Sequence, residues 1–270
     1  MPKKRNKNAG SLIDFQIVVE NHEVLDSSIL ALNKDWEEGK INWYSPKKDK
    51  TSPIEDTWCK EFKDKSFWDG KLDKDSNSFW DEMGNPNINR NSWPKGGPSW
   101  DGIAVLTDKN GEKILLLFEA KAHKGELSSS CSATDIGSIE VISKHLNETK
   151  KSLGLDENVD WMKRYYQFAN RLAFLNDLQK ENKIKVALIC VYFANDPYWN
   201  TKKDHTDKGQ WEKAIETEKD YFGITEDKLI MKHIYDLKID LNSDQYKDIL
   251  GKINDKLKEN NITCGTDVES

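Results

Sequence analysis

The stretch that most limits how this chain can fold is KILLLFEAKA, residues 113–122. Ile114 to Phe118 form an unbroken apolar run bounded by turn residues, the pattern of a strand covered on both faces inside an α/β sheet. Glu119 and Lys121 interrupt it. Strand side chains alternate, so these two project from one face, a pleat apart, while Phe118 and Ala120 project from the other. Upstream, PSWDGIAVLT is a second branched run, and the connection TDKNGE carries Asn110-Gly111, a pair that favours a tight turn with positive φ. A hairpin is therefore predicted, with strands near Trp100 to Leu106 and Lys113 to Ala122. Asp101, near the end of the partner strand, can approach the charged pair. Two carboxylates and an ammonium are expensive in a dry sheet unless something compensates them. A divalent cation would do so, since Mg2+ takes hard oxygen ligands, commonly one or two carboxylates with water and substrate phosphate completing the shell.

The rest of the chain reads as helices and strands around this hairpin. Residues 11–32 are apolar-rich and predict helix, NWYSPKKDKTSP predicts a loop, and aromatics spaced among charges from Pro53 to Gly84 predict short amphipathic helices. After the Ser-rich SSSCSATD, helices are expected from Ile136 to Leu153 and from Trp161 to Gln179. In the second, Arg164, Gln167 and Arg171 share one side. A buried strand, KVALICVYFA, comes next. It is followed by a helix within Gln210 to Tyr221, a strand in LIMKHIYDLKID and a helix from Ser243 to Glu259. With no internal repeat and no clear linker, residues 11–270 read as one α/β domain with a core at about 43–240, behind a flexible basic tail, residues 1–10.

Composition excludes several classes. A hydrophobic share of 36% with 33% charged residues describes a soluble globular chain, and ten Trp, eight Tyr and nine Phe argue against general disorder. No run approaches the roughly 18 apolar residues of a membrane span. MPKKRNKNAG is basic without an apolar stretch behind it, so it is not read as a secretion signal. Cys59, Cys131, Cys190 and Cys264 are scattered, which suits neither a zinc ribbon nor a disulfide framework and leads to the expectation of a cytoplasmic protein with reduced thiols. The net charge of −6 opposes unspecialised binding to nucleic acid but says nothing about local patches.

PSWD, with Asp101, and EAK, with Glu119 and Lys121, on two antiparallel strands in that order, resemble the PD-(D/E)xK nuclease superfamily. Trp100 stands where the eponymous proline would be. WDG, FEAKAHKGEL, YYQFANRLAFL and VYFAND, in that order, also look like a bacterial family of uncharacterised proteins assigned to this fold, over Trp43 to Pro197. The resemblance implies a restriction-endonuclease-like mixed β-sheet core flanked by helices. It implies a nuclease in which Asp101, Glu119 and the Ala120 carbonyl hold Mg2+ or Mn2+, and Lys121 orients or activates the attacking water. Gln167 resembles a helical glutamine found after the catalytic strand in some branches. A third acidic ligand from an amino-terminal helix would be Glu55, or next Glu61.

The expected partner is nucleic acid, DNA before RNA, with no membrane and with homo-oligomerisation left open. Alternatives remain at this level. Glu119 and Lys121 could be a cross-strand ion pair, Asp101 a turn residue, Gln167 part of an exposed helix face, His123 a surface histidine and Asp196 a helix cap. The chain could correspondingly be a non-catalytic nucleic-acid-binding or scaffold protein, or a hydrolase of another phosphate ester. If nuclease, its site mouth should be rich in Lys and Arg from Lys95, Lys124, Arg164 and Arg171. Repulsion between clustered carboxylates would let Glu119→Gln raise metal-free stability.

Overall fold

The computed structural model describes residues 11–45, 82–83, 100–180, 184–199 and 204–259. The predicted amphipathic helices of residues 53–81, with Glu55 and Glu61, lie outside them, as does Lys95. At the centre is a five-stranded mixed sheet in sequential order: β1 (Lys40–Ser45), β2 (Gly102–Thr107), β3 (Lys113–Lys121), β4 (Val186–Ala194) and β5 (Ile234–Asp240). The first three strands form an antiparallel meander, whereas β4 pairs parallel with both β3 and β5. Parallel neighbours need crossover connections, and helices supply them. β3 leads to β4 through α3 (Ile136–Leu153) and α4 (Tyr166–Lys180), and β4 to β5 through α5 (Lys208–Phe222). These helices cover one face of the sheet. On the other face lie α1 (Ser11–Glu20), α2 (His22–Leu30) and α6 (Lys247–Glu259).

This layering explains the sequence of β3. Leu115 and Leu117 pack towards α3 and α4, Leu116, Phe118 and Ala120 towards α1, and all are fully buried. The Phe118 ring lies 5.4 Å from Phe15 of α1 and 4.8 Å from Trp43 of β1. Burying a ring of that size contributes about 3 kcal/mol. At the hairpin, Asp108 Oδ1 accepts the N–H groups of Asn110 and Glu112, both at 2.8 Å, and Gly111 takes the left-handed φ of 80° that the Asn-Gly signal foretold.

Three local expectations change. NWYS is strand rather than loop, because Lys40–Ser45 finds a partner in β2 that the local sequence does not announce. Residues 11–30 make two helices with a turn at Asn21, whose side chain donates to the Ile17 carbonyl at 2.7 Å. The second crossover helix begins at Tyr166, not Trp161: Tyr165 has φ 54°, and the Ser129 carbonyl takes the Tyr166 N–H at 3.1 Å. Among the described residues, no helix is long and apolar enough to cross a membrane.

Candidate active site

The sheet changes character where β3 runs out. Glu119 pairs laterally with Cys190 of β4, and Lys121 with Tyr192, placing both charges on the face beneath α4 and α5. Glu119 and Lys121 are each 7% exposed, and Arg171 of α4 is 5% exposed. Both Glu119 oxygens are engaged. Lys121 Nζ donates to Oε1, while Arg171 donates to Oε2 from Nε at 2.9 Å and from Nη2 at 2.5 Å. Burial opposes charge on Glu119, but Arg171 and Lys121 outweigh it and hold the carboxyl below its ordinary range. Burial likewise disfavours the Lys121 ammonium, and Glu119 and then Asp101 more than compensate, so its pKa rises.

Gln167 comes to the same place. Its side-chain oxygen accepts from Lys121 Nζ at 3.1 Å, and its backbone N–H donates to Ser129 Oγ at 2.9 Å. The Ser-rich loop thus caps α4 and aims the glutamine at the lysine. Gln167 and Arg171, one helical turn apart, both face the site. Arg164 does not join them: it lies before α4 and stacks on Tyr165 at 4.7 Å. Arg171 was expected at a basic mouth, yet it is buried against Glu119, where it joins Lys121 in offsetting the charge of that carboxylate.

Asp101 sits at the edge of β3. It precedes β2 in a bend, its N–H donates to the Phe118 carbonyl at 3.1 Å, and its Oδ2 accepts the Ala120 N–H at 2.7 Å. Successive residues of a strand direct their N–H and C=O groups to alternate sides, so the Ala120 carbonyl lies on the same edge as its N–H, beside Asp101. Among the described residues, Asp101 Oδ1 takes no hydrogen bond. Burial first, then the charge of Glu119, push the Asp101 carboxyl up to about 7, against the pull of Lys121. A hard cation would relieve this carboxylate, and Asp101, the Ala120 carbonyl and Glu119 are oxygen donors of the type Mg2+ and Mn2+ prefer. Among the described residues, no three Asp, Glu, His or Cys side chains gather closely enough to hold an ion by themselves.

Two further carboxyl groups escaped the sequence reading. Glu218 of α5 lines a cavity of about 10 Å³, about one water, together with Glu119, Lys121, Gln167 and Arg171. It is 2% exposed, and burial pushes its pKa up to about 8. The signal was available: Trp211, Ile215, Glu218 and Phe222 occupy one buried helical stripe, with an acid where a hydrophobe belongs. Asp14 of α1 faces Asp196, and both are buried. Burial raises both carboxyls, Asp196 to about 6, and the charge of Asp196 adds to the rise of Asp14. Asp196 Oδ1 also caps the turn at Pro197–Trp199 by accepting the Tyr198 N–H at 2.9 Å. His123 lies against Trp199, ring centroids 4.1 Å apart and planes tilted by 41°, with its Nε2 3.7 Å from Glu126.

The chain matches no protein-family model, no curated protein and no solved structure with which it was compared.

Proposed function

We propose that the sheet is a restriction-endonuclease-like core and that the chain is a Mg2+- or Mn2+-dependent nuclease acting on DNA. One observation carries this reading: Asp101, Glu119, Lys121 and Gln167, picked from separate sequence segments, meet at the end of β3, where a solvated ion pair would not need a half-buried helical glutamine as a third partner. In this reading Asp101, Glu119 and the Ala120 carbonyl hold the ion, with Glu55 as a further candidate ligand. The ion, when bound, lowers the pKa of a coordinated water and offsets charge on the scissile phosphate. Lys121 Nζ, fixed by Glu119 and Gln167, orients that water and donates towards the developing charge. Gln167 is a positioning residue that restricts where the ammonium can point.

A second reading has an observation of its own. Glu119 is fully paired by Arg171 and Lys121, as a retained structural ion cluster in a non-catalytic nucleic-acid-binding or scaffold protein would be. Lys121→Ala separates the two. Assayed with Mn2+ on plasmid, linear duplex, single-stranded DNA and RNA, the nuclease reading expects cleavage to fall by about two orders of magnitude or more while Mn2+ binding persists. Cleavage retained in Lys121→Ala removes the site from consideration. Absence of both cleavage and Mn2+ binding in the unmodified protein favours the scaffold.

A further inference from the structure

Resting on the nuclease reading, we propose that Arg171 is a built-in competitor of the metal: its guanidinium occupies the cation's place on Glu119 and must leave before Glu119 can ligate. The two Arg171 nitrogens at 2.9 and 2.5 Å saturate Oε2, and Lys121 holds Oε1, so neither oxygen is open to a divalent ion in this arrangement. Of these two cations, Arg171 is the displaceable one. Lys121 stands two residues from Glu119 on the same strand and keeps Gln167 as a second anchor, so its ammonium stays in the site whatever Glu119 does. Arg171 reaches across from α4, where its Nη1 also donates to Asn170 Oδ1 at 2.5 Å, and its guanidinium rests 4.7 Å from the ring centre of Trp100, the residue before Asp101. That indole face can keep the planar group close to the site after the carboxylate is given up. A released guanidinium has the fork geometry that takes phosphate oxygens in pairs. Arg171 thus guards Glu119 when no metal is present and becomes a phosphodiester contact when it is.

The consequence is specific. A residue that merely supports Glu119 helps metal binding, whereas a competitor hinders it. Mn2+ titrations by calorimetry on the intact chain, without nucleic acid, distinguish the two. Arg171→Gln should bind Mn2+ about tenfold more tightly than the unmodified protein, melt several degrees lower without metal, and recover most of that loss in saturating Mn2+. Arg171→Lys keeps the competing charge and should stay within about threefold of the unmodified affinity. If Arg171→Gln does not fold alone, refolding it in millimolar Mn2+ should rescue it. Mn2+ affinity that is unchanged or weaker in Arg171→Gln, or failure of that rescue, overturns the proposal and leaves the nuclease reading standing. Absence of Mn2+ binding in both the unmodified protein and Arg171→Gln overturns the two together.

Discussion

Glu218→Gln should make the protein more stable at alkaline pH and leave it nearly unchanged at acid pH. The carboxyl is 2% exposed in the helical stripe that packs α5 on the sheet, and its pKa is pushed from the ordinary 4.5 up to about 8. Burial is the main cause, and Asp236 and Glu119 add to it against the opposing charge of Lys121. The folded state therefore keeps a proton that the unfolded chain surrenders, so stability is fully present below about 4.5, falls as pH rises, and levels off above about 8. At 1.36 kcal/mol per pH unit the full loss is about 5 kcal/mol. Water entry and small shifts of α5 would absorb part of it, and at least about 2 kcal/mol should survive as a measurable difference. Glutamine has the same shape and no proton to lose, so its stability curve lacks this segment. Urea denaturation at pH 5, 6.5 and 8.5 should show the two proteins within about 1 kcal/mol at the lowest pH, diverging in favour of glutamine as pH rises. Groups common to both proteins cancel in the difference. A difference independent of pH would refute the reasoning, and a variant that grows less stable with rising pH would mean that Glu218 is ionised and paired with Lys121.

Glu119→Gln should lower metal-free stability by about 3 to 5 kcal/mol in denaturant titrations, because it strands two buried cations. This reverses the expectation drawn from carboxylate repulsion alone; Mn2+ affinity and cleavage should fall with it. Asp196→Asn should gain stability relative to the unmodified protein between about pH 4 and 7, followed by thermal melting, since the folded Asp196 holds its proton up to about 6. A relative loss across that range would show that Asp196 is ionised in the folded protein.

The two central strands were legible because their apolar runs have only one burial-compatible reading, and α3 because both of its ends carry local signals. Asp135 caps it by accepting the Ser138 N–H at 2.8 Å, and Gly154 closes it at φ 62°. What local sequence could not supply was pairing. β1 becomes a strand only through β2, so an edge strand containing Asn42 and flanked by lysines looked like a loop. The beginning of α4 depends on Ser129, more than 30 residues away, which takes two of its first N–H groups. Charges were hardest to place. A helical arginine or glutamate in a chain that is 33% charged reads as solvated until tertiary packing shows its face turned inward.

That difficulty has a common physical origin. Asp101, Asp14, Asp196 and Glu218 are held above their ordinary pKa values primarily by burial, and Glu119 alone among these carboxyls is held below, by Arg171 and Lys121. These five acidic groups lie with two fixed cations, Lys121 and Arg171, both of them engaged on Glu119. Such an arrangement opposes stability at neutral pH, and burial with apolar partners would have been available at each position. Under the nuclease reading the imbalance is a reservoir of attraction for an added cation, drawn on at Asp101, whose Oδ1 takes no hydrogen bond among the described residues, and resisted at Glu119, where Arg171 already stands. The melting temperature of the unmodified protein should therefore rise with Mn2+ more at pH 8 than at pH 5.5, because above about 7 the ion meets an ionised Asp101 and below it must displace a proton. An Mn2+ response equal at both pH values would separate Asp101 from the binding of the ion.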